Sequence, residues 1–178
     1  MQKKKITKLF FAWQDEKEQV WLEQMAAHGW VLDEVGLIRY TFCKQEPQQI
    51  RYRLDYQEIK GNDLLEYLSL FTDAGWEYKG RMNNWFYFAA KDPETGEIYT
   101  DTQSKIEKYK RVLRTLLIAC FPVTYSLFSF SRLSEGAESS ALNGVMWVFQ
   151  CMIFLIAVAL VLNTIRLWVK IQKMEKKI

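Results

Sequence analysis

Between Asp15 and Gly29 the apolar positions keep helical spacing: Trp21, Leu22 and Met25 share one face, and Gly29 falls where a helix ends in a left-handed residue. The pattern is written twice. "MAAHGW", Met25–Trp30, and "FTDAGW", Phe71–Trp76, stand 46 residues apart. In the second copy Leu64, Leu65, Leu68 and Phe71 form the stripe and Gly75 the stop. Asp15 with Glu18 gives a D-x-x-E start to the first helix, and Asn62 caps the second. Trp30 and Trp76 follow each stop directly, where a large ring covers the end of the helix as the chain reverses.

Past the helices the period changes from helical to alternating. Tyr40 and Phe42 match Phe86 and Phe88 at the same offset. Each copy therefore reads strand, helix, strand, strand. The first occupies about 7–13, 15–28, 30–35 and 38–44, and the second about 50–57, 62–74, 76–81 and 84–90, with a short strand near 97–100. Turns at Gly36 and at Asn83-Asn84 join the paired strands. The predicted fold class is α+β: a duplicated βαββ unit over residues 1–101, with an antiparallel sheet and two helices on one face. Gly29, Trp30, Gly75 and Trp76 then have a structural explanation, since packing residues are the ones a duplication repeats.

The copies differ on one strand face. Opposite the buried set, the first copy shows Arg39, Thr41 and Cys43, whereas the second shows Trp85, Tyr87 and Ala89. An apolar outer face marks a covered surface. The chain itself, a second subunit, the tail, a membrane or a ligand are the possible covers. Trp85, Tyr87 and Ala89 are taken as an interaction face, with a protein partner or a homo-oligomer as the expected occupant.

Beyond residue 110 charge disappears twice. Thr115–Ser131 and Ala141–Ile165 contain no Asp, Glu, Lys or Arg. The second run is long enough to span a bilayer, and the first is at the short limit, at roughly 25 Å of helix against a core of ~30 Å. The expected order after the domain is a juxtamembrane helix at 102–114, begun by a capping box of Ser104 and Glu107. Transmembrane helices follow at 115–132 and 141–166, separated by an extracytoplasmic loop at 133–140 and ended by a basic cytosolic tail at 167–178. Basic residues flank both runs on one side: Lys105, Lys108, Lys110, Arg111 and Arg114 before the first, Arg166, Lys170 and Lys173 after the second. The short connection "SRLSEGAESSALNG" between the runs carries only Arg132, with Glu135 and Glu138. The positive-inside rule then places both termini in the cytoplasm of a multi-pass inner-membrane protein, with the eight flanking cations at lipid headgroups and membrane lipids as partners.

Composition narrows the chemistry. Three Cys in 178 residues do not suit a disulfide-stapled secreted fold. The N-terminal "MQKKKITKLFFAW" lacks a signal peptide's cleavage site. His28, the only His, has no marked partner for metal or base chemistry, and Cys43, Cys120 and Cys151 lack metal-ligand spacing. Asp15 with Glu16, and Asp55 with Glu58, sit at helix entries, where carboxylates are expected anyway. There is no phosphate loop and no nucleic-acid signature, since the cations of the soluble part are matched by acids. The net charge is +3. No enzyme activity, cofactor, metal or nucleic-acid partner is expected.

"FFAWQDEKEQVWLEQMAAHGW", followed by "YTF" and "YRLDYQ", resembles the bacterial family called domain of unknown function 2812, over about residues 7–100. The resemblance implies no reaction. It implies a membrane protein often encoded beside PadR-type transcriptional repressors, hence a place in a stress-responsive circuit. The expected function is a non-enzymatic inner-membrane protein whose cytosolic domain mediates protein-protein interaction or self-assembly in envelope-stress response. The alternatives are a membrane-anchored sensor of a hydrophobic or amphiphilic molecule and a small transport accessory subunit. Asn143, Gln150 and Asn163 are the polar residues of the second run and suit interhelical bonds better than a pathway.

Overall fold

The computed structural model describes residues 2–59, 61, 63–134 and 140–176. The chain divides into two compact units, Met1–Tyr109 and Lys110–Ile178. The first unit thus runs past the expected boundary at residue 101.

The first unit contains β1 (Lys3–Thr7), α1 (Asp15–Ala27), β2 (Trp30–Val35), β3 (Arg39–Lys44), β4 (Arg51–Tyr56), α2 (Asp63–Asp73), β5 (Glu77–Met82) and β6 (Trp85–Ala90). The βαββ order appears twice. Each copy forms its own antiparallel three-stranded sheet with its last strand in the middle, β1-β3-β2 and β4-β6-β5. Even the irregularities repeat. The ladder shifts register between Leu32 and Glu34 in one sheet and between Tyr78 and Gly80 in the other. Gly29 and Gly75 have φ of 78° and 85°, the left-handed conformation that a side chain disfavours.

The layering differs from the expected single sheet with both helices on one face. The two sheets share no hydrogen-bonded ladder. Where β5 nears β2, a Cβ on Gly80 would lie 3.1 Å from Val35 Cγ1. Leu22 and Ala26 of α1 join Tyr40 and Phe42 of the first sheet to Tyr52, Leu54, Tyr87 and Ala89 of the second in one core. The opposite face of the second sheet, with Phe86, Phe88 and Ala90, packs under α2. There Phe71 stacks on Phe88 at 4.1 Å and Tyr67 meets Phe86 edge-on at 4.9 Å. The second sheet is therefore covered on both faces, which is why both faces of β6 are apolar.

Three local expectations change. The first strand is "KKKIT", not 7–13. It is an edge strand whose lysines discourage pairing with another chain, and Lys3 bonds Asp33 at 2.7 Å. Phe10 lies outside any strand yet packs its ring 5.5 Å from Trp21. Residues 97–100 form no strand; they belong to a strap that joins β6 to the next helix. Leu65, expected on the inner stripe of α2, is 78% exposed. Asn62, its expected cap, lies outside the described residues.

Two long helices follow, α3 (Thr102–Ser134) and α4 (Ser140–Glu175). The first turns of α3, through Tyr109, belong to the first unit. Asp101 caps α3, accepting from the Ser104 amide at 2.7 Å and the Ser104 hydroxyl at 2.8 Å, so the expected box of Ser104 and Glu107 is displaced by one turn. Among the described residues one helical segment, Trp147–Glu175, is long and apolar enough to cross a membrane, with a mean hydropathy of 2.4 over its most apolar 18 residues. The expected hairpin of two spanning helices thus reduces to one such segment. α3 begins with charged turns and carries Pro122 within its shorter apolar stretch. Residues 135–139, the centre of the expected extracytoplasmic loop, lie outside the described residues.

Candidate functional site

Two carboxylates of α1 turn inward. Asp15 and Glu18 are three residues apart, so both fall on the helix face that meets the core. Glu18 Oε1 accepts from the hydroxyls of Tyr40 and Tyr87, each at 2.7 Å. Burial raises the Glu18 pKa above the usual carboxylate range, opposed by the two tyrosine hydrogen bonds. Burial first, and then the Glu18 charge, push both phenols above their ordinary value.

Asp15 is 2% exposed and meets the Lys108 ammonium at 2.7 Å. Tyr109 donates its hydroxyl to Asp15, 3.0 Å from either carboxylate oxygen. Three rings surround Lys108, with centroids 4.7 Å (Tyr109), 5.4 Å (Tyr99) and 6.0 Å (Trp85) from Nζ. A third acid repeats the device: Asp55 accepts from Tyr67 at 2.7 Å and from the Tyr99 hydroxyl. Each buried carboxylate is thus clasped by tyrosines from other elements. A charge withdrawn from water needs such donors, because a carboxylate left bare costs several kcal/mol.

Several expected site residues change role. Tyr87 and Ala89 are buried in the unit's own core, and Trp85 packs partly buried beside them against Tyr56 at 5.2 Å. The face expected to meet a partner is covered by α1 and the first repeat. Lys108, expected at a lipid headgroup, is 4% exposed and neutralised by Asp15. Lys110 pairs with Glu175 at 2.8 Å within the second unit. Trp76 is buried and donates its indole N–H to Gly96 O at 3.1 Å, and Trp30 lies under the ammonium of Lys44 at 4.9 Å. His28 is exposed at the end of α1, with Nδ1 2.7 Å from Gln24 O. No group of three or more His, Cys, Asp or Glu gathers as a metal site among the described residues.

The sequence reading missed a groove. The C-terminal half of α2 and the strap at 96–98 bound a cavity of about 520 Å³, walled by Tyr67, Leu70, Phe71, Ala74, Trp76 and Ile98. That volume suits a small organic molecule. Leu70 stands at its edge, 63% exposed. The strap is held on the groove's far side by Arg53, which makes two 2.6 Å bonds to Glu97 and one of 2.9 Å to Glu23. These bonds lower the Glu97 pKa and raise that of Arg53. The available signal was the apolar excess of α2, where Leu65 and Leu70 exceed what one buried stripe uses.

The chain is thus a duplicated βαββ module followed by long helices, one of them apolar enough to span a membrane. It belongs to the family described as protein of unknown function DUF2812, whose model matches residues 14–121. Neither the curated proteins nor the solved structures gave a match.

Proposed function

We propose that this protein is a non-enzymatic, membrane-anchored sensor whose α+β unit binds a hydrophobic or amphiphilic molecule. The observation that carries this reading is the groove between α2 and the strap, about 520 Å³ and walled by aromatic and aliphatic side chains. The anchor is the apolar stretch of α4, paired with that of α3 as a hairpin in the inner membrane, with both termini in the cytoplasm by the basic flanks. Self-assembly is the second reading. It no longer draws on Trp85, Tyr87 and Ala89 and relies on Leu65 and Leu70, 78% and 63% exposed on α2. Photolabelling distinguishes the two. Full-length protein in nanodiscs is irradiated with an aliphatic diazirine and its peptides are mapped. Labelling at Leu70–Ala74 and Gly96–Ile98, reduced by Leu70→Ser, is the expected result. Labelling confined to α3 and α4 overturns the sensor reading, and crosslinks between copies through α2 support assembly instead.

A further inference from the structure

The charge around the groove opposes that of the whole chain. Residues 61–79, which supply its α2 wall and Trp76, contain Asp63, Glu66, Asp73 and Glu77 against Lys79, which pairs with Glu77 at 2.5 Å, a net −3. The strap 91–101 contains Asp92, Glu94, Glu97 and Asp101 against Lys91, a net −3, in a protein whose net charge is +3. Glu66 and Asp73 lie four and three residues from Leu70, on its side of α2, and both are exposed. Neither makes an ion pair among the described residues. The nearby cations are already used: Arg53 forks onto Glu97, and Arg51 lies 3.6 Å from Glu97. Arg51 also lies over the Trp76 ring at 5.5 Å, so an aromatic wall of the groove already receives one cation.

Resting on the groove reading, we infer that the ligand class is the hydrophobic monocation: an apolar or aromatic body with one delocalised or quaternary positive charge. The body fills the space between Phe71, Trp76 and Ile98. The charge faces aromatic rings and the uncompensated carboxylates of Glu66 and Asp73, where an anion meets repulsion and a neutral molecule gains burial alone. No hydrogen-bond donor on the ligand is required, because the groove's own polar groups are occupied: the Tyr67 hydroxyl by Asp55 and the Trp76 N–H by Gly96.

Tetraphenylphosphonium and tetraphenylborate, nearly equal in size and opposite in charge, test this. Full-length protein in zwitterionic nanodiscs is dialysed to equilibrium against each ion, and binding to empty nanodiscs is subtracted. Saturable binding of the phosphonium, one per chain, without saturable binding of the borate is the expected outcome. Glu66→Gln with Asp73→Asn weakens it about tenfold, the scale of one or two surface charge interactions. Leu70→Ser weakens it through the lost wall. If both ions bind and Leu70→Ser weakens both, the groove stands and cation selection is overturned. If neither binds, cation recognition is overturned, and diazirine labelling that also misses the groove removes the sensor reading. Phosphonium binding indifferent to both variants places the site elsewhere and defeats the inference.

Discussion

Glu18 illustrates how a single buried acid sets a protein's response to pH. Its folded pKa is raised, chiefly by burial. A carboxyl raised in the folded state binds its proton more tightly there than in the unfolded chain. Its contribution to stability is therefore full below the unfolded value near 4.5 and is lost as pH rises through the folded value. Glu18→Gln removes the titration but keeps an oxygen that can accept from Tyr40 and Tyr87. The variant is expected to match or exceed the parent's melting temperature at neutral pH, and the difference between them should grow as pH rises from about 4.5. Melting curves of both proteins across a pH series measure it. A Gln variant that melts far lower at neutral pH would show that the charged carboxylate is what the tyrosines need. This clasp was not legible in the sequence. Tyr40 and Tyr87 lie 22 and 69 residues from Glu18, and Asp15 lies 93 from Lys108. Local pattern reads these acids as helix starts, and only the fold turns them inward.

At the scale of elements the duplicated glycines are not equivalent. Both occupy the left-handed region, where a side chain costs roughly 1–2 kcal/mol. A Cβ on Gly29 would also lie 2.6 Å from the backbone oxygen of Gln45, whereas one on Gly75 meets only the Thr95 side chain at 3.3 Å. Gly29→Val is expected to destabilise more than Gly75→Val. In a double-mutant cycle Thr95→Ala should recover part of the Gly75 loss and none of the Gly29 loss. Denaturant unfolding of the three single and two double variants decides it, and equal losses at the two glycines would refute the difference. The helix stops were readable because a glycine followed by tryptophan occurs twice at one offset. Seven strand and helix positions in the repeat followed closely, since alternation and helical spacing are local properties. The first strand did not, because its edge carries lysines while the apolar Leu9–Phe11 stretch beside it forms no strand. The layering did not either: apolar residues on both faces of β6 show that both are covered, without naming α1 as the cover.

For the whole molecule, the proposed topology rests on the clusters of Lys and Arg beside the two apolar runs. In a variant lacking Cys43, Cys120 and Cys151, a cysteine introduced by Ser139→Cys should react with an impermeant maleimide in intact cells. Reaction only after permeabilisation would overturn the hairpin and leave α4 as the sole span. The sequence reported the apolar runs through the absence of charge. It could not report the groove, which needs α2 and the strap brought together from 67–76 and 96–98.

The bond between Asp15 and Lys108 has a consequence for synthesis. A chain made from its N-terminus produces the acid 93 residues before the base that neutralises it. Until the opening turns of α3 emerge, both sheets can form but their core holds a carboxylate without its cation. The charge-free stretch of α3 begins at Thr115, seven residues after Lys108, so closure of this lock nearly coincides with the emergence of that stretch. A fragment cut at residue 101 is left with the acid alone, whereas one cut after Tyr109 takes the lock with it.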